Sequence, residues 1–320
     1  MKFTRYIFSS LVGLAMLAGA PAKAEYPDKP VKVVVPFAPG GGTDTIARIV
    51  STRLSEALGQ PVIIENKPGG AGMLGTRIVS TSEPDGYTIL FASSGHAINP
   101  SLYKSLGYDT LKDLTCIGQT ATQHIILVVH PSVPANNIQE FVAYLKENPG
   151  KLSFGSSSQA TALPMELFLA LTDTNMVNVP YKGSSPVVTD LLSGRIQASF
   201  GALATFGPFI KDNKVKSLGL GDNKRSESLP DIPTIAEQGV PEFQATLFNA
   251  MYVPSKTPKP IIDKLSSALQ QMFADPEFRE VVKKAGFDPV GGTAAECNEF
   301  VEKEVDKWAT VAKRAGITPQ

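Results

Sequence analysis

The sequence predicts an α/β fold built as two similar halves. Short apolar runs of strand length alternate with stretches of helical spacing, and brief Gly- and Pro-rich loops join them. That pattern belongs to βαβ units and implies a largely parallel sheet. The series runs twice along the chain without a sequence repeat. No Pro-rich, Ser-rich or charge-block linker separates the two runs, so the chain is expected to cross between domains inside strands.

The first series opens with the Val-rich strand Val31 to Phe37, stopped by Pro39-Gly40-Gly41-Gly42-Thr43-Asp44. Ile46, Ile49, Val50, Leu54 and Leu58 then mark one face of a helix that Gly59 ends. Val62 to Ile64 is the next strand, followed by the glycine loop Gly69 to Gly75, a helix through Ile78 and Val79, the turn Pro84-Asp85-Gly86 and the strand Tyr87 to Ala92. Leu114 to Gly118 reads as a further strand.

The second series has the strand Ile125 to Val129, a helix from Ile138 to Lys146, the strand Leu152 to Gly155 and, after Ser156-Ser157-Ser158, a helix through Met165, Leu167 and Leu171. The strand Met176 to Pro180, the helix Pro186 to Leu192 and the strands Ile196 to Phe200 and Val215 to Leu220 complete it. The remainder is helical: Pro258 and Pro276 sit in first turns, and Thr293-Ala-Ala-Glu296 reads as a capping box opening a helix that runs to about Arg314. Val301, Val305, Trp308 and Val311 on that helix are expected to pack on the sheet of the first domain. The crossings fall near Gln119 to Gln123 and near Phe243 to Phe248. Domain 1 is therefore residues 25–122 plus 246–320, and domain 2 is residues 123–245.

Lys2 and Arg5 precede an apolar run from Ile7 to Ala20, and Ala22-Lys23-Ala24 follows. This is a secretory signal peptide over residues 1–24, cleaved after Ala24. The run is too short for a membrane span, which needs about 20 apolar residues. No Cys follows it to carry a lipid, so a soluble exported protein is expected, periplasmic in a bacterium. The two cysteines, Cys116 and Cys297, could bridge in an oxidising compartment, but spacing neither establishes nor excludes it. Their apolar surroundings favour two separate buried thiols.

The 320 residues are 42% hydrophobic and 19% charged, an ordinary globular composition that excludes a disordered chain. Lys+Arg and Asp+Glu both number 30. Three of the bases lie in the leader, so the mature body is weakly acidic, which argues against a nucleic-acid partner. The glycine turn at Gly40 lacks the lysine of a P-loop and the spacing of a dinucleotide fingerprint, so no cofactor is expected. Three histidines, His96, His124 and His130, show no ligand spacing, so no metal site is expected either. A serine hydrolase would need GxSxG, and Gly155-Ser156-Ser157-Ser158-Gln159 lacks the second glycine. His96 meeting one of these serines in space is the remaining route to an enzyme, and a non-enzyme is expected.

What recurs is a strand ending in a small, hydroxyl-rich loop that begins a helix: Gly40 to Asp44, Gly69 to Gly75, Ser93 to Gly95, Ser156 to Thr161 and Gly183 to Ser185. Such loops aim unpaired N–H groups and the positive end of a helix dipole at one point, which suits a carboxylate. Only Lys67 and Lys182 stand near these loops. Arg48, Arg53, Arg77 and Arg195 read as solvated helix residues, so the ligand is held by dipoles and hydroxyls. The missing basic clamp favours a ligand of low charge, an amino acid or aromatic acid, over a tricarboxylate. Asp44, at a helix start, is suited to capping backbone N–H groups.

Tyr26-Pro27 and Pro30-Val-Lys-Val-Val-Val-Pro-Phe-Ala-Pro-Gly-Gly-Gly-Thr-Asp44 resemble the opening of the receptors of tripartite tricarboxylate transporters, the Bug family of periplasmic binding proteins. The likeness continues through Glu65-Asn-Lys-Pro-Gly-Gly-Ala-Gly72, Pro84-Asp-Gly-Tyr-Thr88, Asn99-Pro-Ser-Leu-Tyr103, Val179-Pro-Tyr-Lys-Gly183, Leu229-Pro-Asp-Ile-Pro-Thr234 and Thr257-Pro-Lys-Pro260. The resemblance implies a two-lobed flytrap with two crossing strands that captures a small carboxylate and presents it to a membrane permease, as a monomer. It places Phe37, Gly41, Gly42, Thr43, Asp44, Ser93 and Ser94 at the carboxylate, and Ser156, Ser157, Ser158, Thr161, Tyr181 and Ala202 on the second lobe. Two departures bear on the distal pocket. Ala162-Leu163-Pro164-Met165 stands where relatives often have His-Leu, and Leu247-Phe248-Asn249 where they often carry Trp, which puts Phe248 at the ligand. A subunit that docks a sensor kinase in place of a permease is the alternative reading.

Overall fold

The computed structural model describes residues 26–181, 183–222, 225–226, 230–314 and 316–319. The expected leader and Lys182 lie outside them. Two sheets form. The first contains β1 (Val31–Val35), β2 (Val62–Asn66), β3 (Thr88–Ser93), β4 (Leu114–Gln123), β10 (Leu247–Pro254) and β11 (Asp288–Gly291), in the order β11-β4-β10-β3-β1-β2. The second contains β5 (Ile125–Val129), β6 (Ser153–Ser156), β7 (Val177–Pro180), β8 (Ala198–Ala202) and β9 (Lys216–Leu220), in the order β7-β6-β8-β5-β9.

Both sheets are mixed where a largely parallel sheet was expected. The βαβ strands β1, β2 and β3, and β6, β7 and β8, pair in parallel. In contrast β5 and β10 run antiparallel to their neighbours on both sides. These two follow the passages between sheets, at His124 and at Thr246, and each enters its sheet without a crossover helix, so nothing imposes the parallel direction. Gln123 pairs with Leu247, which brings the two passages side by side.

Helices cover both faces of each sheet, and strand alternation sorts the side chains between the layers. In β1, Val31, Val33 and Val35 pack with Ile46, Val50 and Leu54 of α1 (Gly42–Leu58) and with Leu265 and Leu269 of α8 (Lys259–Ala274). Val34 points to the opposite layer, among Leu90, Tyr252 and Val301 of α10 (Ala294–Arg314). In β5, Ile125, Leu127 and Val129 face Phe141 of α4 (Ile138–Glu147) and Phe168 of α5 (Gln159–Thr172). Ile126 and Val128 face α6 (Ser184–Leu192) and α7 (Leu203–Lys211). The remaining helices are α2 (Met73–Ser80), the single turn α3 (Gly95–Ile98) and α9 (Pro276–Lys284). The capping box forms as read, with Thr293 N donating to Glu296 Oε2 at 2.8 Å and Glu296 N donating to Thr293 Oγ1 at 3.1 Å.

Two packing expectations are corrected. Cys116 and Cys297 are bonded, with Cα atoms 5.8 Å apart, and tie β4 to α10 across 181 residues of chain. Both are buried in an apolar layer as expected, but that layer is where α10 lies on the strand. Beside the bond, Asn298 Oδ1 accepts from Cys116 N at 3.0 Å and Asn298 Nδ2 donates to Cys116 O at 2.9 Å. β11 pairs with β4 only from Gln119 onward, so this side-chain amide takes the place of a strand partner. The second correction concerns α10. Val301 packs on the first sheet, but Trp308 and Val311 leave it and join Leu163 and Leu167 of α5, with Ile98 and Leu102. The helix is longer than the sheet face it covers, so its last turns reach the second half.

Candidate functional site

The loop between β1 and α1 is held by Asp44. This side chain is 2% exposed. Its Oδ2 accepts from Gly40 N and Arg48 Nε, both at 2.9 Å. Its Oδ1 accepts from Arg48 Nη2 at 3.0 Å and Asn66 Nδ2 at 2.8 Å. Asn66 Nδ2 also donates to Phe37 O at 3.0 Å. The hydrogen bonds from Arg48 hold the Asp44 carboxyl at a pKa of about 2 against the cost of burial, with Gly40 and Asn66 adding to the effect. Asp44 thus caps Gly40, and both of its oxygens, expected beside the ligand, accept from donors of the chain itself. Arg48, read as a solvated residue, is part of the same anchor.

With Asp44 so engaged, α1 begins at Gly41 with no side chain capping it. The N–H groups of a first helical turn have no partner inside the helix. Gly41 and Gly42 are exposed, and a Cβ placed on Gly42 would stand 3.8 Å from Phe287 Cζ and 3.9 Å from Gln123 Oε1. Asn249 Nδ2 lies 3.5 Å from Thr43 Oγ1. Two amide side chains from the crossing strands therefore approach an uncapped helix start.

On β10, Leu247 and Asn249 share a face, and Phe248 points to the other. Phe248 is 1% exposed and stacks edge-on against Phe300 in the core of the first half. Expected at the ligand, it is instead part of this core. Leu247, the residue before it, lines a cavity of about 190 Å³ in the second half. The other walls are Ser157, Ser158, Thr161 and Ala202, as expected, with Ser184, Ser199 and Thr205, and an apolar side of Val187, Phe200 and Phe206. Among the described residues none that lines it is charged. Thr161 Oγ1 accepts from the N–H groups of Ser157 at 3.0 Å and Ser158 at 3.2 Å, which folds the serine loop back onto the start of α5. α7 begins at Ala202 without such a cap.

Other expected contacts are turned elsewhere. Ser156 donates to Asn178 Oδ1 at 2.8 Å and Tyr181 to Asp190 Oδ2 at 2.8 Å, and neither lines the cavity. Phe37 lies over Gly72, with its Cζ 3.3 Å from where a Cβ would be. Ser93 pairs with Asn249 at the end of β3, and Ser94 N donates to Phe248 O at 2.8 Å, which leaves both beside the crossing strand. Lys67 pairs with Glu65 at 3.4 Å. His96 is buried between Tyr108 and Tyr252, where burial lowers its pKa to about 4, and the serine loop makes its contacts with Asn178 and Thr161. Gln123 and Asn249, beside the start of α1, and Leu247, on the cavity wall, were not among the expected contacts. Their signal was the alternation of β4 and β10 around the paired residues Gln123 and Leu247.

Among the described residues no group of His, Cys, Asp and Glu is arranged to hold a metal ion, and no helix is long and apolar enough to cross a membrane. The family profile described as "Tripartite tricarboxylate transporter family receptor" matches residues 46–317. The protein BugT of Bordetella pertussis is 34% identical over 316 residues, covering 97% of this chain and 95% of its own. The structure of R. palustris Rpa4515 with adipate has a TM-score of 0.80 at 31% identity, covering 92% of this chain and 100% of that one. The structure of the periplasmic binding protein BugD has a TM-score of 0.76 at 35% identity, with the same coverage.

Proposed function

This chain belongs to the tripartite tricarboxylate transporter receptor family, and on that premise we propose that it captures a small organic carboxylate between its two halves and delivers it to a membrane permease. The observation that carries the reading is the uncapped start of α1 at Gly41 and Gly42, approached by Gln123 and Asn249 and adjoining, through Leu247, a hydroxyl-lined cavity of the other half. One carboxylate of the ligand accepts from the N–H groups of Gly42 and Thr43, where the helix dipole favours an anion. The remainder of the ligand reaches Ser157, Ser158 and Thr161. Adipate bound to Rpa4515 is a ligand of this class.

The halves, residues 25–122 with 246–320 and residues 123–245, are the lobes of a flytrap, and the passages at His124 and Thr246 are its hinge. A ligand that touches both lobes favours the closed form by its differential affinity for it. Binding rests on the dipole at the start of α1 and on the hydroxyls of Ser157, Ser158 and Thr161, and is reversible. The leader directs the chain to the periplasm and is removed after Ala24, and the mature protein works as a monomer. Calorimetric titration of residues 25–320, unfolded and refolded to remove any carried ligand, tests the reading with mono-, di- and tricarboxylates and amino acids. Saturable binding of one carboxylate group is expected, and heat from none of them refutes the proposal. Cross-linking in cells tests the permease step, which fails if no membrane permease subunit is captured.

A further inference from the structure

The passages between the sheets carry a charge cluster on the side away from the candidate site. Gln123, Leu247 and Asn249 point toward the start of α1 and the hydroxyl-lined cavity, so their neighbours His124 and Thr246 point the other way. There His124 Nδ1 lies 2.5 Å from Asp222 Oδ2, in the turn after β9, and Nε2 lies 2.6 Å from Asp288 Oδ2 of β11. The second contact is a close ion pair without the alignment of a hydrogen bond. Thr246 Oγ1 donates to the other oxygen of Asp222 at 2.6 Å. The four residues come from both passages and both sheets.

Two carboxylates that approach opposite nitrogens of one ring are compatible only with a ring protonated on both. A neutral imidazole carries one N–H, and its lone pair would face an anion. Burial opposes the charge here, but the hydrogen bond to Asp222 and the charges of both Asp222 and Asp288 outweigh it and raise the pKa of His124 to about 9. The other charged groups around this cavity have partners of their own. Arg225 binds Glu237, Arg279 of α9 donates to Phe273 O, Lys283 of α9 pairs with Glu280, and Glu304 of α10 pairs with Lys307 and Trp308. His124 is the cation that stands directly between the two carboxylates.

We infer that His124 is a hinge pin, a positioning residue whose charged ring ties Asp222 of one lobe to Asp288 of the other and thereby fixes the angle between the lobes. Its effect on affinity rests on the receptor reading above. The angle itself is a property of the ligand-free chain, so the two can fail separately.

Both native cysteines are bonded to each other, so labels can be placed at will. Lys112 and Lys151 are exposed, one in each lobe, and Cys at both positions carries a spin-label pair for pulsed distance measurement without ligand. At about pH 7 a narrow distance distribution is expected, and at about pH 10 a broadened or displaced one, because the ring loses its charge as pH rises through its raised pKa. His124→Gln gives the broad distribution at both pH values. Asp288→Asn, at a more exposed edge, gives it at about pH 7 and guards against a misfolded His124 variant. A parent distribution that is the same at both pH values, or variant distributions that match the parent's at about pH 7, overturns the pin. A chain that binds no carboxylate but shows these distances refutes the receptor reading alone.

Discussion

Replacing Asp44 by Asn separates two roles for the carboxylate beside the start of α1. Each of its oxygens accepts from two donors, Gly40 N and Arg48 Nε on one and Arg48 Nη2 and Asn66 Nδ2 on the other. Either orientation of an amide turns an NH₂ group toward two donors. Holding the carboxyl at a pKa of about 2 instead of 3.8 corresponds to at most about 2.5 kcal/mol of stability. Arg48 is 54% exposed, so water screens part of this and about 1–2 kcal/mol remains. In a chain of this size Asp44→Asn then lowers the thermal midpoint by about 2–6 °C at neutral pH. Because the folded pKa is depressed, the contribution is present above about pH 4 and is lost as pH falls toward about 2, so the gap between parent and variant narrows in that window. Thermal unfolding at a series of pH values measures it, and titration of the variant shows weaker carboxylate binding because the loop at Gly40 is released. The opposite pair of results, an unchanged midpoint and tighter binding from removing a negative charge, would mean that Asp44 faces the ligand and would refute the anchor.

Removing the Cys116–Cys297 bond by a double Ala substitution frees a loop of 181 residues in the unfolded chain. The chain-entropy relation makes this worth up to about 5 kcal/mol, so a large fall in the midpoint is expected, and an unchanged midpoint contradicts it. Phe248→Ala opens a hole beside Phe300 and costs about 3–5 kcal/mol with ligand affinity retained. Leu247→Ala, next to it, weakens affinity about tenfold through lost apolar contact and changes stability less, because Leu247 is half-buried. Unfolding and titration of both variants decide the matter, and a reversal of the two effects would place Phe248 at the ligand after all.

Much of the fold was legible because it is local. The Val-rich run of β1, the helical spacing from Ile46 to Leu58 and the Gly59 stop need only neighbouring residues, and Gly59 adopts the left-handed conformation that such a stop requires. Helix α7 was not read, since Gly207 and Pro208 interrupt its pattern, and β11 is short and contains Pro289. The direction of β5 and β10, the Cys116–Cys297 bond and the departure of Trp308 from the first sheet depend on partners far away in sequence. The site divides the same way. Ser157, Ser158 and Thr161 follow directly from a strand end meeting a helix start, and Ala202 came from likeness to relatives. Phe248 came from likeness to relatives, and the register Phe248–Thr122 turns it into the core one residue away from Leu247 and Asn249. The charge on Asp44 was readable, but its partner Asn66 on a different strand was not.

The most direct test of the central claim is Gly42→Leu. A Cβ there makes only ordinary contacts with Phe287 and Gln123, the residue is exposed, and its backbone lies outside the left-handed region, so the fold should tolerate the change. The added side chain fills the space that the carboxylate is proposed to occupy. Calorimetric titration of parent and variant with the carboxylate that the parent binds should show affinity at least about tenfold weaker at an unchanged thermal midpoint. Equal affinity in the two proteins would contradict the placement of the anion at the start of α1.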